Sequence, residues 1–127
     1  MELHTAVAAE RRRSLNARPI APAGRFVLYW MTAFRRIEWN AALEFAVDAA
    51  VALDRPLVIL EALRADYPWA AWRFHRFVMD GMREHAARLE RSSVTYHPYV
   101  EPAPGAGKGL LETLAAIKAL VKWSRFL

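Results

Sequence analysis

Three short stretches of this chain set chemically useful side chains close together: Met31 to Arg36, Glu61 to Trp69, and Glu101 to Lys108. Glu61 and Asp66 form a pair of carboxylates that can work as acid and base. The same two residues can instead be structural, Asp66 capping a helix and Glu61 neutralising a nearby arginine. The segment from Pro104 to Gly109 (PGAGKG) has the composition of a phosphate-cradling loop. It fails the pattern, because Pro102 stands where the first glycine is needed and Gly109 stands where Ser or Thr must follow the lysine. A nucleoside triphosphatase is therefore not expected. Two readings stay open: a helix start whose free backbone N–H groups, with Lys108, hold an anion, or an ordinary loop.

Other chemistries find less support. No G-x-G-x-x-G follows the first apolar run, and Ser14, Ser92, Ser93 and Ser124 do not sit in nucleophile-elbow contexts. The chain has no cysteine, and His4, His75, His85 and His97 lack the spacing of a ligand pair, so a zinc site is not expected. Tyr29, Trp30, Trp39, Tyr67, Trp69 and Trp72 gather near the ends of the first two apolar runs. Their rings can stack on a planar cofactor. They can equally be core, since each buried ring removes ~150–250 Å² from water.

The elements that position these residues follow from hydrophobic periodicity. Phe26 to Met31 is apolar on both faces, as a strand covered on both sides must be. Trp39 to Leu53 carries a polar stripe at Asn40, Glu44 and Asp48 and an apolar one at Leu43, Ala46, Val47, Ala50 and Leu53, which predicts a helix. Leu57 to Leu60 is the second strand. Asp66, Tyr67 and Pro68 predict a capped entry to a second helix over Trp69 to Glu90, with a stripe at Phe74, Phe77, Val78, Met82 and Leu89. Val94 to Val100 is the third strand. A third helix starts at Lys108, with Leu110, Leu114, Ile117 and Val121 on one side. From Ile117 onward, Lys118, Lys122 and Arg125 interrupt any apolar strand, so the tail is expected to continue that helix. Alternating strands and helices predict an α/β fold, a partial Rossmann-like parallel sheet of about three strands with helices on both faces. In such a sheet ligands sit beyond the carboxyl ends of the strands, where the three opening stretches fall.

The 127 residues suit one domain, and a hydrophobic content of 55% suffices for a core. Residues 1–24 are read as a basic leader, broken by Pro19, Pro22 and Gly24, with a short helix possible from Thr5 to Leu15; residues 25–127 form the α/β body. Charge is uneven: residues 1–25 hold five arginines against two glutamates, and residues 105–127 hold four cations against one glutamate. Basic ends can grip a nucleic-acid backbone or be solvated tails. No signal peptide or membrane-length apolar stretch is evident, and a cytoplasmic location is expected.

These residues resemble one enzyme family. Gly24 to Met31 (GRFVLYWM), Arg36 to Asn40 (RIEWN) and Ala42 to Glu44 are similar to the amino-terminal domain of class II cyclobutane-pyrimidine-dimer photolyases. Arg55 to Val58 is similar to its second strand. Asp66 to Pro68, Arg73, His75 to Phe77 and Gly81 match the following helix, and Tyr99 to Leu111 the next loop and helix. The resemblance covers Asn16 to about Ala116. It implies light-driven repair of damaged DNA, in which FAD in a carboxy-terminal helical domain splits the dimer and a deazaflavin or folate antenna in the α/β domain feeds it energy. The family's flavin-binding and dimer-binding motifs belong to that carboxy-terminal domain and have no counterpart here, so no catalytic residue carries over. Expected ligand contacts are Met31, Arg36, Glu61, Tyr67, Glu101 and Lys108. The expected partners are damaged DNA in the full-length family, a separate flavin-domain chain, and further copies of this chain through an exposed sheet edge. By itself the chain is expected to be inactive in repair; the alternatives are a small binding module for an antenna chromophore or another flat ligand, or one half of a split photolyase.

Overall fold

The computed structural model describes residues 3–14, 17–116 and 119–120. It shows an α/β fold with strands β1 (Phe26–Met31), β2 (Leu57–Leu63), β3 (Thr95–Val100) and β4 (Ala119–Leu120), and helices α1 (Ala41–Leu53), α2 (Trp72–Leu89) and α3 (Leu110–Ala116). The sheet is parallel throughout, in the order β3-β2-β1-β4. The three expected strands and three helices are present. The short fourth strand departs from the expected continuous tail helix: Ala119 and Leu120 pair with Phe26 and Val27 instead. Ile117, Lys118 and the residues from Val121 on, which also belong to that expected helix, lie outside the described residues.

Chain order explains the layers. The chain steps from β1 to β2 to β3 in one direction, so right-handed crossovers put α1 and α2 on one face. The return from β3 to β4 runs the other way and puts α3 on the opposite face. Side chains alternate accordingly. Val27, Met31, Leu57 and Ile59 are buried in one cluster with Ala46, Ala49 and Ala50 of α1, where three small residues let the helix approach the strands. Leu28 and Leu60, both nearly inaccessible, point to the other face.

Several local expectations are corrected. Helix α1 starts at Ala41, because Trp39 takes a left-handed backbone (φ 51°) and Asn40 is the cap. Its buried side is Ala46, Ala49 and Ala50, while Val47 faces outward. Helix α2 starts at Trp72 rather than Trp69. Asp66 does not cap it: the cap position is Ala71, with no side-chain bond, and Asp66 pairs loosely with Arg64 at 3.7 Å on the surface. Trp69, at φ 74°, breaks the run before the helix. Among the described residues of the leader only Ala9–Arg11 is helical, as one 3-10 turn. That segment is nonetheless packed on the body: Val7 is buried, and Thr5 donates to Asp48 Oδ2 at 2.5 Å. Among the described residues no helix is long and apolar enough to cross a membrane.

Candidate functional site

The carboxyl ends of β1, β2 and β3 meet at Met31, Leu63 and Val100, and the loops that follow them form one rim. The β1–α1 loop owes its shape to Asn40. Its Oδ1 accepts the N–H groups of Ala42 and Leu43, both at 3.1 Å, which caps α1. Its Nδ2 donates to the carbonyls of Arg36 (2.9 Å) and Phe34 (3.3 Å) and to the Tyr29 hydroxyl (2.9 Å). All of its hydrogen-bonding capacity is used, as its 4% exposure requires. Burial pushes the Tyr29 phenol above its ordinary range, partly offset by the Asn40 bond. The loop therefore holds Phe34 and Trp39 outward in left-handed conformations, φ 47° and 51°. Trp39 is 88% exposed, and the Arg36 guanidinium lies 5.4 Å from the Phe34 ring centre.

Beneath that rim sits a buried ionisable cluster. The second strand runs three residues past the expected Leu60, so Glu61 lies inside β2 and is 1% exposed. A carboxylate there is tolerable only with partners, and three elements supply them. Tyr96 of β3 donates its hydroxyl to Glu61 Oε2 at 2.6 Å. His85 of α2 places Nδ1 2.9 Å from the same oxygen; because an ionised carboxylate only accepts, Nδ1 carries the proton. Arg35 reaches Oε1 at 3.4 Å and donates its other amino group to the Ala62 carbonyl at 2.7 Å. Burial, and then the bond to Glu61, keeps the Tyr96 phenol far above its ordinary range. Arg35, His85 and Tyr96 were missed as site residues in the sequence. The available signal was the lone acid in an apolar strand, since Glu61 inside LVILEAL demands buried partners.

The third loop is closed by its own anion. Glu101 accepts the Ala65 N–H at 2.7 Å and the Gly107 N–H at 3.0 Å. These two bonds, Ala65's first, hold its carboxyl below the usual carboxylate range. The amides of Ala106, Lys108 and Leu110 bond backward within the loop to Ala103, Gly105 and Gly107. The amides of Ala106, Gly107, Lys108 and Leu110 are thus engaged within the loop, and Lys108 remains as an exposed cation beside them. Gly107 is needed here, because a Cβ would lie 2.9 Å from the Tyr99 ring.

The six expected contact residues therefore divide. Met31 is wholly buried in the core, and Glu61 and Glu101 are committed to internal bonds. Arg36 and Lys108 are exposed at the rim. Tyr67 is half-buried, its ring 5.5 Å from that of His75, whose Nε2 is buried without a partner. Phe34, Arg36, Trp39 and Lys108 are exposed on these loops, and Tyr67 and His75 are half-buried. Among the described residues no group of three His, Asp or Glu is arranged for a metal ion.

No family model matches the sequence. Over 86 residues the chain is 38% identical to the deoxyribodipyrimidine photo-lyase of Methanothermobacter thermautotrophicus, an alignment covering 68% of this chain and 19% of that protein. The chain thus spans about a fifth of the length of the curated relative it matches. Over about two thirds of its length the chain is thus similar to a part of a photolyase.

Proposed function

We propose that this chain is an amino-terminal α/β domain of the class II photolyase type, and that its rim holds a flat antenna chromophore, a deazaflavin or a folate. The likeness to a photolyase over 86 residues carries the reading. The geometry supports it: exposed aromatic rings at Phe34 and Trp39, cations at Arg36 and Lys108, and an unpaired buried nitrogen on His75 suit a planar, polar-edged ligand. When bound, such a group would absorb light and pass on its excitation. The residues here only bind and orient it. Dimer splitting, and contact with damaged DNA, belong in this reading to flavin-bearing protein joined to or paired with this domain in the cytoplasm.

Titration of the purified chain with a deazaflavin and with a folate, followed by ligand fluorescence, tests this. Saturable binding is expected for one of them, weakened about tenfold by Trp39→Ala or Arg36→Glu. Absence of binding by both below about 1 mM counts against the reading. Illumination of the chain with FAD and dimer-containing DNA is expected to give no repair, and repair by the chain alone would overturn its role as a binding domain.

A further inference from the structure

Glu61 has two possible counter-cations, and they come from different elements. Arg35 belongs to the β1–α1 loop and His85 to the packed helix α2. Arg35 is the loop's deepest tether, since its guanidinium bridges Glu61 and the Ala62 carbonyl at the end of β2. The loop is also held by Ile37 packed on the core, by the Asn40 bond to Tyr29 of β1, and by the largely exposed, water-screened ion pair of Glu38 with Arg88 of α2. The bonds of Asn40 fix the loop's internal shape more than its place.

We propose that the Arg35–Glu61 pair is a proton-controlled latch on the β1–α1 loop. With His85 neutral, Arg35 is the only full positive charge among Glu61's hydrogen-bonding partners. Its departure would leave a carboxylate buried with two neutral donors, which is strongly disfavoured. When His85 takes up a proton, imidazolium supplies the counter-charge in place. Arg35 is then free to leave, and the loop loosens over residues 32 to 35 while the Asn40 bonds keep its internal joint. The other ionisable groups facing the cluster do not substitute. Tyr96 and Tyr29 stay neutral, Arg36 is turned to the Phe34 ring, and Glu84 and Arg88 lie at the surface of α2. The latch places the aromatic ring of Phe34 under proton control, whatever ligand it meets, and stands apart from the photolyase reading.

The absence of cysteine permits a direct test. A spin label on Ala33→Cys, an exposed loop position, reports loop mobility without a pH-dependent reagent. As pH is lowered the ratio of mobile to immobile label should rise, by up to about tenfold per pH unit for one coupled proton. His85→Asn, which keeps a donor at the Nδ1 position, should hold the label immobile throughout. Arg35→Gln should make it mobile at every pH. In the unsubstituted protein the NMR titration of the His85 ring should share the label's midpoint, a readout that needs no folded variant. A label indifferent to pH, an unchanged response in His85→Asn, or midpoints that do not coincide would each overturn the latch.

Discussion

Glu61 shows how a single residue can organise this fold. A carboxylate at 1% exposure is costly, and its stability depends on Tyr96, His85 and Arg35 acting together. Tyr96→Phe removes the shortest of these bonds and leaves an acceptor lone pair unfilled, so unfolding free energy should fall by about 1.5–3 kcal/mol in a denaturant titration at pH 7. The same change should alter the alkaline limb. The Tyr96 phenol is raised in the folded state, so its contribution is whole below about pH 10, the ordinary tyrosine value, and is lost as pH climbs toward the raised one. Tyr96→Phe should flatten that loss. Glu101 behaves in the opposite sense. Its carboxyl is lowered by the amides of Ala65 and Gly107, so its contribution is whole above the ordinary glutamate value of about 4.3 and disappears as pH falls through the lowered one. Thermal midpoints measured from pH 6 to pH 3 should therefore fall less steeply for Glu101→Gln than for the unsubstituted chain, and parallel curves would refute the assignment.

At the level of elements, what the sequence reveals tracks how local each cause is. Strand β1 was legible to the residue, because Phe26 to Met31 is an unbroken apolar run. The sheet class followed from strand and helix alternation. The early end predicted for β2 came from treating Glu61 as a loop residue. Its three partners come from positions 35, 85 and 96, which no local pattern connects. The late starts of α1 and α2 have a related cause. Trp39 and Trp69 adopt left-handed backbones that periodicity cannot anticipate, and Asp66 had the right type for a cap but the wrong distance from the helix. Asn40 was legible as a stripe residue, while its role as the joint of the β1–α1 loop was not. Asn40→Ala should cost about 1–2 kcal/mol from the lost cap, because the N–H groups of Ala42 and Leu43 lose their acceptor. Asn40→Asp keeps that acceptor while losing the donations to Phe34, Arg36 and Tyr29. It should not recover the loop's order, measured as amide exchange across residues 33 to 37. Exchange in Asn40→Asp that matches the unsubstituted chain would show that the cap alone matters.

The whole molecule leaves β3 at one end of the sheet, where an open row of backbone groups invites strand addition. The ladder shows how that edge is protected. The Glu101 N–H bonds the Leu63 carbonyl at 2.9 Å. Because a parallel strand directs alternate residues to alternate sides, the backbone groups of Tyr99 and Glu101 face β2, and those of Tyr96, Pro98 and Val100 face outward. Pro98 therefore sits at the centre of the free edge, where a donor is missing. Proline at an inward position would have broken the pairing with Glu61 across the ladder; at the outward position it costs the sheet nothing and denies an incoming strand its central bond. Association of this chain through a sheet edge is accordingly not expected at β3. Pro98→Thr restores one N–H per copy. In a symmetric pair of edges both copies gain it, adding about 2 kcal/mol, or roughly thirtyfold in the association constant. Sedimentation velocity over a concentration series should show the variant self-associating where the unsubstituted chain does not at the same concentration. Pro98→Ala, with the same N–H and a weaker strand preference, should fall between them. If all three sediment alike, the β3 edge is closed by something other than Pro98. If the unsubstituted chain associates and Pro98→Thr leaves that unchanged, association uses a different surface, with the exposed rings of Trp69, Trp72 and Phe77 the first to replace.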